Sequence, residues 1–233
     1  MKPFSFKQFT IQQSKNVFRV GTDGVLLGAL ADVKNAFSVL EIGTGTGLIS
    51  LMLAQRNPEA KFLGIDINKD AAELTKVNFQ NAPFFSRLKN IHQDFKDFET
   101  EQEFDLIVSN PPYFEVSDSE KDKIARQTVE LNFRQLIVKS SQMLSKKGIL
   151  SVIIPAEAGN NFMTTAYESG MYLVRKIIVK GIENSKVKRL VLEFSKSEKR
   201  LEESELIIEK SPRQYSDQYL ELTKEFHVFK KES

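Results

Sequence analysis

The tetrapeptide Asn110-Pro111-Pro112-Tyr113 directly follows the apolar run 104–109 of this 233-residue chain. An amine attached to a planar ring is a weak nucleophile, because its lone pair is delocalised until acceptors draw its two N–H bonds out of conjugation. The Asn110 side-chain carbonyl and the Pro111 backbone carbonyl are suitable acceptors, and the Pro-Pro step is rigid. Tyr113 offers a stacking face for the ring. The turn therefore predicts methylation of a planar amine such as adenine N6, without a general base.

Asn and Pro are also ordinary turn residues, so a plain polar turn is the competing interpretation. The functional interpretation gains weight because the turn closes a strand of the buried type. Ligands of open α/β sheets bind at such strand ends.

A glycine-rich loop upstream supplies the second half of such a site. The apolar strand 39–42 leads into three alternating glycines, which are Gly43, Gly45 and Gly47. Glycines let the backbone turn tightly and approach a ligand closely, and residues 48–54 have the apolar periodicity of a helix. A dinucleotide fingerprint requires a glycine three residues after the second one, but Leu48 occupies that position. The loop therefore disfavours NAD.

A second strand, 61–65, ends in Asp66, which lies 19 residues after Gly47. A carboxylate at this place can accept from both hydroxyls of a ribose. Together with the glycine loop, this pattern resembles the class I S-adenosylmethionine-dependent methyltransferases. The resemblance implies that the loop lies along the methionine moiety and that Asp66 holds the ribose. A strand, loop and helix without a ligand is the alternative.

Asp94 and Phe95 follow the third predicted strand, 88–92. Methyltransferases of the class that this chain resembles use an acid at this place to accept from the adenine amine of the cofactor. The resemblance implies that role for Asp94, with Phe95 packing nearby. An Asx-turn or a helix cap is the structural alternative.

The residue types exclude several other classes of site. The chain has no Cys, so disulfides, thiolate zinc sites and a cysteine nucleophile are excluded. His92 and His227 are far apart in the sequence, which disfavours a histidine metal centre or a Ser/His/Asp triad. We expect no metal. We also expect a cytoplasmic protein without a membrane segment, because no apolar stretch reaches spanning length.

The formal net charge of +2 is nearly balanced, but the basic residues are clustered. The clusters are Lys2, Lys7, Lys15 and Arg19; Lys186, Lys188 and Arg189; and Lys196, Lys199 and Arg200. They could neutralise phosphates along one side of the molecule or could be solvated strand ends and turns, and both interpretations stay open.

Strands and helices alternate as in a doubly wound, Rossmann-like α/β methyltransferase sheet, mostly parallel with an antiparallel last strand. The predicted strands are 37–42, 61–66, 88–92, 104–109, 148–154, 172–179, 187–194 and 206–208. The predicted helices are 47–56, 69–80, 131–145, 157–168 and 216–226. The strands 172–179 and 187–194 have no helix between them, which indicates an antiparallel hairpin.

The N-terminal residues 4–11 alternate in polarity and predict a short hairpin. Thr22 or Asp23 can cap a helix that runs toward Ala31. We therefore expect residues 1–36 to form a hairpin and helix packed on the core, with the methyltransferase domain over residues 37–233.

The N-terminal segment, the glycine loop and the Asn-Pro-Pro-Tyr turn together resemble the bacterial tRNA1(Val) (adenine-37-N6)-methyltransferase family. The resemblance runs nearly end to end. It implies transfer of a methyl group from S-adenosylmethionine to the adenine beside the anticodon of a valine tRNA. The partner would be the anticodon stem-loop, and we expect a monomer.

The resemblance also implies roles for individual residues. The catalytic positions are Asn110, Pro111, Pro112 and Tyr113. The cofactor positions are Thr22, Asp23, Glu41, Gly43, Gly45, Gly47, Asp66, Asp94, Phe95 and Asn110. Glu41 replaces the Asp of many relatives, and either carboxylate could hold the amino group of the cofactor.

Three alternatives stay open. Glutamine N5-methyltransferases of peptide release factors share the tetrapeptide, but they usually carry a helical domain before the glycine loop, and only 38 residues precede Val39 here. Adenine methyltransferases of DNA generally add a target-recognition domain, and they must flip a paired base. The third alternative is a binding module that has kept the fold and lost the activity.

Overall fold

The computed structural model describes residues 1–111 and 133–227, which form an α/β fold around an eight-stranded sheet. Pro112 and Tyr113 of the predicted catalytic turn lie outside these ranges. No helix within the described ranges is long and apolar enough to cross a membrane.

The strands are β1 Phe4–Ser5, β2 Thr10–Ile11, β3 Ser38–Ile42, β4 Lys61–Asp66, β5 Leu88–His92, β6 Phe104–Ser109, β7 Leu144–Pro155, β8 Tyr172–Lys180, β9 Val187–Ser195, β10 Glu202–Ile207, β11 Glu209–Ser211 and β12 Gln214–Tyr215. The helices are α1 Thr22–Leu30, α2 Leu48–Arg56, α3 Lys69–Gln80, α4 (described over 133–143), α5 Gly159–Glu168 and α6 Asp217–Thr223. Short 3-10 turns cover Phe85–Arg87, Phe95–Asp97 and Ala156–Ala158.

The large sheet has the strand order β10-β8-β9-β7-β6-β3-β4-β5. Its described neighbour pairs are parallel, except the two pairs that contain β9. The predicted doubly wound sheet with an antiparallel strand from the final hairpin is confirmed. The antiparallel strand lies between β7 and β8, and β10 extends the sheet beyond them.

Some predicted boundaries are wrong. The helix predicted over 131–145 ends at 143, and β7 starts at Leu144 instead of 148. Leu144 pairs with Phe104, and the Ser145 hydroxyl donates to the Asp105 carboxylate at 3.0 Å, so this segment joins the sheet early. The helix predicted from 157 begins at Gly159, after a 3-10 turn.

Alternate residues of the strands fill two apolar clusters, one on each side of the sheet. Val39 and Val108 face the cluster that contains buried residues of α1 and α2. Leu40 and Ile107 face the opposite cluster, which contains buried residues of α4 and α5. The central strands are therefore covered on both sides, so polar ligands reach them at their ends.

The predicted N-terminal hairpin is confirmed as the pair β1 and β2. It packs against the end of the described chain, because the Lys7 amide donates to the Phe226 carbonyl at 2.8 Å. Phe6 also stacks on His227, with ring centroids 5.4 Å apart. Buried hairpin residues share a cluster with the core, and the boundary at residue 36 stays a prediction.

The helix predicted toward Ala31 is α1, but neither Thr22 nor Asp23 caps it. Its N-cap is Gly21, without a side-chain hydrogen bond. Asp23 instead pairs with Arg189 of β9, with Nε and Oδ2 2.8 Å apart. At the other end of α1, Arg56 donates to the Ala31 carbonyl at 2.7 Å. The helix is thus fixed at both ends, and its first turn lies beside the start of β9.

The turn from β3 into α2 uses glycines with left-handed backbone, among them Gly45 at φ 57° and Gly47 at φ 81°. A Cβ atom on Gly47 would lie 2.6 Å from Cε1 of Phe79, whereas one on Gly45 would meet no atom within 4 Å. Gly47 therefore has a packing constraint in addition to its backbone conformation.

Gly47→Ala should consequently destabilise the fold more than Gly45→Ala. Both variants bear the left-handed backbone cost of about 1–2 kcal/mol. Only Gly47→Ala adds the overpacking cost of roughly 1–3 kcal/mol against Phe79. Urea unfolding of the two variants measures the difference, and equal free energies of unfolding would show that the Phe79 contact does not constrain the turn.

Candidate functional site

The predicted site residues meet at one edge of the sheet. The glycine loop follows β3, Asp66 ends β4, Asp94 follows β5 and Asn110 follows β6. Since β3 lies between β4 and β6 and all three strands are parallel, their carboxyl ends are adjacent. The structure thus places Asp66 and Asn110 on either side of the glycine loop.

The glycine loop is tied to the end of β4 by backbone hydrogen bonds. The amides of Gly43 and Thr44 both donate to the Ile65 carbonyl, at 2.8 and 3.1 Å. The Gly45 amide donates to Oδ2 of Asp66 at 2.7 Å. Loop and carboxylate therefore form one structural unit.

The Asp66 carboxylate can accept further hydrogen bonds from a ligand. It is half-buried, and its Oδ1 accepts from the Asn68 amide at 2.8 Å. A carboxylate has about four lone-pair positions, so two backbone bonds leave room for further donors.

The outer side of the glycine loop is open. A Cβ atom built on Gly43 or Gly45 would meet nothing within 4 Å. The space beside the loop and the free acceptor positions of Asp66 fit the methionine and ribose parts of S-adenosylmethionine.

Two polar residues of α3, neither of them predicted from the sequence, support the loop on the side that faces α3. The Thr75 hydroxyl donates to the Gly45 carbonyl at 2.9 Å, and the Asn78 side-chain amide donates to the Thr46 carbonyl at 2.8 Å. Both side chains are buried. The sequence feature that could have identified Thr75 and Asn78 is their position on the apolar face of α3, beside Ala71 and Phe79.

Glu41 is a buried carboxyl group on β3, with 1% of its surface exposed. Its Oε2 accepts from the Ser50 amide at 3.0 Å and from the Ser50 hydroxyl at 2.5 Å. Burial raises the pKa of Glu41 to about 8, although the Ser50 hydrogen bonds lower it and the Asp66 charge adds to the increase. Glu41 thus caps the first turn of α2 from within the core. Its contact with a cofactor amino group stays a prediction.

The Asp94 side chain acts as a cap, which is the structural role that competes with cofactor binding. Its Oδ1 accepts from the Lys96 amide at 2.9 Å and caps the 3-10 turn Phe95–Asp97. Phe95 is half-buried, and the Lys139 ammonium lies 5.6 Å from its ring centroid. The cofactor roles of Asp94 and Phe95 stay predictions.

Ile67 is a site candidate that was not predicted from the sequence. It directly follows Asp66, and 65% of its surface is exposed. The signal was a large apolar residue immediately after the strand-ending acid. Such a side chain can pack against a flat ring placed beside Asp66.

Asn110 and Pro111 lie next to the root of the glycine loop. Asn110 is half-buried and Pro111 is buried. The preceding residue, Ser109, is 1% exposed and its hydroxyl donates to the Ile42 carbonyl at 2.9 Å. This bond fixes the start of the turn against the residue that precedes Gly43. Tyr113 lies outside the described residues, so its stacking role stays a prediction.

Thr22 and Asp23 begin α1 and reach the same edge. The carboxylate of Asp23 pairs with Arg189, and both side chains are partly buried. The cofactor roles of Thr22 and Asp23 stay predictions. Within the described part of the chain, no group of three or more His, Cys, Asp or Glu residues could hold a metal ion.

The raised pKa of Glu41 makes stability depend on pH. Its carboxyl has the ordinary pKa of 4.5 in the unfolded chain and about 8 in the folded chain. The contribution to stability is therefore complete below the unfolded value and is lost as pH rises through the folded value.

Glu41→Gln should remove this dependence, because the amide oxygen can still accept from Ser50 but does not ionise. The stability of the wild type relative to the variant should fall between about pH 5 and about pH 9. Urea unfolding across this range measures it. A difference that does not change with pH would mean that Glu41 is ionised in the fold.

Comparison with known proteins identifies the family. Residues 9–171 match the methyltransferase small domain family. The tRNA1(Val) (adenine(37)-N6)-methyltransferase of Flavobacteriaceae bacterium (strain 3519-10) is 54% identical over 231 residues, covering 98% of this chain and 100% of its own. The protein of the same name from Vibrio campbellii (strain ATCC BAA-1116) is 37% identical and covers 97% of this chain and 96% of its own.

Solved structures agree on the fold. A predicted O-methyltransferase from Agrobacterium tumefaciens has a TM-score of 0.69 at 18% identity, covering 88% of this chain and 96% of its own. A methyltransferase from Pyrococcus furiosus has a TM-score of 0.62 at 19% identity, covering 82% of this chain and 90% of its own. The chain therefore belongs to the methyltransferase small domain family and, within it, to the family of tRNA1(Val) (adenine(37)-N6)-methyltransferases.

Proposed function

We propose that this enzyme transfers the methyl group of S-adenosylmethionine to the exocyclic N6 of adenine 37 in tRNA1(Val). The observation that carries the chemistry is the position of Asn110, which follows a residue bonded directly to the root of the glycine loop. The names of the relatives support the choice of RNA and of nucleotide. The site of action would be the cytoplasm, and a monomer stays our expectation.

The cofactor would bind along the glycine loop. S-adenosylmethionine supplies an electrophilic methyl group on a sulfonium. The open side of Gly43 and Gly45 would face the methionine part, and Asp66 would accept from the ribose hydroxyls. Ile67 would cover one side of the adenine ring of the cofactor.

The target adenine would enter beside the end of β6. The Asn110 side-chain oxygen and the Pro111 carbonyl would accept from the two N6 hydrogens and draw the nitrogen toward tetrahedral geometry. Tyr113 would stack on the ring. The nitrogen would then attack the methyl carbon as the carbon–sulfur bond breaks, S-adenosylhomocysteine would be the leaving group, and the extra proton on nitrogen would pass to water.

Catalysis in this proposal comes from orientation and from acceptors that are already in place. The Ser109 hydrogen bond and the buried Pro111 hold the acceptors relative to the loop. An anticodon-loop adenine is already partly unstacked, so the enzyme need not open a duplex.

A comparison of acceptors tests the proposed substrate. Unmodified valine tRNA transcript, a peptide release factor and duplex DNA are each incubated with labelled S-adenosylmethionine. We expect label only in the tRNA, and digestion to nucleosides should yield N6-methyladenosine. Label in the release factor instead would replace the substrate while leaving the chemistry of the turn intact.

Asn110→Ala should remove most turnover and leave the affinity for S-adenosylmethionine nearly unchanged. The variant loses one preorganised acceptor, and such a loss costs about 100- to 1000-fold in kcat. Single-turnover methylation and calorimetric titration of the cofactor measure the two effects separately. Equal loss of turnover and of cofactor affinity would assign Asn110 to cofactor binding.

Asp66→Ala should weaken cofactor binding first. A hydrogen bond to a charged group contributes about 1.5–3 kcal/mol, so the Kd should rise by roughly 10- to 100-fold. Glu73→Ala is the matched control, because Glu73 is an exposed carboxylate on α3 that pairs only weakly with Lys69 at 3.9 Å. Retained affinity in Asp66→Ala would make the ribose assignment wrong.

A further inference from the structure

Phe18 is an aromatic side chain held out in solvent. It lies in loop 12–21, between β2 and α1, and 88% of its surface is exposed. This is the largest exposed fraction among the large apolar side chains of the described residues. Lys15 and Arg19 flank it and are also exposed.

Hydrogen bonds and one buried side chain hold loop 12–21 against the rest of the protein, and in this position the loop leaves Phe18 exposed. Asn16 donates to the Asp70 carboxylate at 2.7 Å, and the Gln12 amide donates to Oδ1 of Asn78 at 2.8 Å. Val17, directly before Phe18, is buried. No ion pair within the described ranges occupies Lys15 or Arg19.

The hydrogen bonds of this loop place Phe18 at the edge that carries the site. The side-chain amide of Asn78 donates to the Gln12 carbonyl at 3.1 Å and also to the Thr46 carbonyl in the glycine loop. From Gln12 the loop runs along α3 to Asp70 in the first turn of the helix, just beyond Asp66. Phe18 follows, before the chain enters α1.

A second basic segment reaches the same edge. The turn between β8 and β9 exposes Lys186 and Glu183, and the start of β9 exposes Lys188. Arg189 pairs in register with Pro155 at the carboxyl end of β7, so this turn lies at the carboxyl edge. The Asp23–Arg189 ion pair joins it to the start of α1, directly after loop 12–21.

An exposed aromatic face beside unpaired cations is the arrangement that binds single-stranded nucleic acid. Unpaired bases stack on the ring and the cations neutralise the phosphates. The anticodon loop of a tRNA presents unstacked bases next to a phosphate backbone.

We propose that Phe18 stacks on an unpaired base of the substrate RNA while Lys15, Arg19, Lys186 and Lys188 contact its phosphates. We call these five residues the RNA rim. The inference rests on the proposed function and adds the surface by which the RNA is held beside the site. Phe18 would then contact the RNA substrate directly.

The remaining basic cluster lies at the opposite edge. Ser195 ends β9 and pairs with Tyr172 at the start of β8, and the exposed Lys199 and Arg200 follow it. Lys196 donates to the Leu144 carbonyl at 2.5 Å. Of the basic clusters noted in the sequence, this one faces away from the site and is not part of the RNA rim.

The structure offers a matched control for Phe18. Phe37 is 70% exposed and directly precedes β3, so it lies at the amino edge of the sheet. Removing either ring should leave the fold intact, because both are largely in solvent. Only the removal of the Phe18 ring should weaken RNA binding.

The test titrates the full-length protein, saturated with S-adenosylhomocysteine, against a fluorescently labelled, unmodified anticodon stem-loop of valine tRNA. Phe18→Ala should raise the Kd by about 5- to 100-fold, which is the range for loss of one base–aromatic stack. Phe18→Tyr should keep wild-type affinity, since it keeps the ring, and Phe37→Ala should have no effect. The melting temperature and the cofactor affinity should not change in any of the three.

Salt dependence tests the cations. The double variant Lys15→Ala/Arg19→Ala should flatten the plot of log Kd against log salt concentration by about 0.7–0.9 for each lost phosphate contact. Lys199→Ala/Arg200→Ala is the control at the opposite edge and should keep the wild-type slope. The same slope in both double variants would overturn the assignment of the phosphate contacts.

Two failures are distinguishable. If wild-type enzyme methylates the tRNA but Phe18→Ala binds the stem-loop as tightly as wild type, the stacking inference is wrong and the proposed function stands. If wild-type enzyme methylates no RNA, the proposed function is wrong and the inference is overturned with it.

Discussion

The hydrogen bond from the Ser109 hydroxyl to the Ile42 carbonyl joins the two halves of the site. A buried hydroxyl without a partner costs free energy, so Ser109 is held in this contact. Because Ile42 precedes the glycine loop and Ser109 precedes Asn110, the bond sets the position of one half relative to the other. Adjacent parallel strands bring their carboxyl ends together, and Ile42 and Ser109 pair in register at the point where the chemistry is proposed.

The glycine loop combines rigidity with access. Its inner side is bonded to β4 and to buried polar groups of α3, whereas its outer side is open. Asp66 contributes to both the rigidity and the access, because its carboxylate accepts from the Gly45 amide and still has acceptor capacity. Glu41 completes the support by capping α2 from within the core. A cofactor would therefore meet a preformed surface and lose little affinity to reordering of the loop.

Much of this arrangement could be predicted from the sequence, because long apolar runs fix the strands and because turn residues mark their ends. The bounds of β4, β5 and β6 are those predicted. The start of β7 was missed, since it depends on pairing between Leu144 and Phe104 rather than on local pattern. Pairing across the fold decides such boundaries.

The polar support of the site was less predictable. Thr75 and Asn78 are ordinary residues for a helix, and only the folded chain shows that they reach the glycine loop. The partner of Asp23 lies 166 residues away in the sequence, which no local pattern could indicate. Glu41 was recognised as a site residue, but the burial that raises its pKa depends on α2 packing over β3.

We propose that the acceptors after β6 and the cofactor surface after β3 form one site. A crystal structure with a bisubstrate analogue, in which adenosine N6 is joined to the cofactor at the position of the methyl group, tests it most directly. We expect N6 to lie about 3 Å from the Asn110 side-chain oxygen and from the Pro111 carbonyl, with the cofactor part along Gly43 and Gly45. An adenine ring bound away from Asn110, with the cofactor part in place, would contradict it.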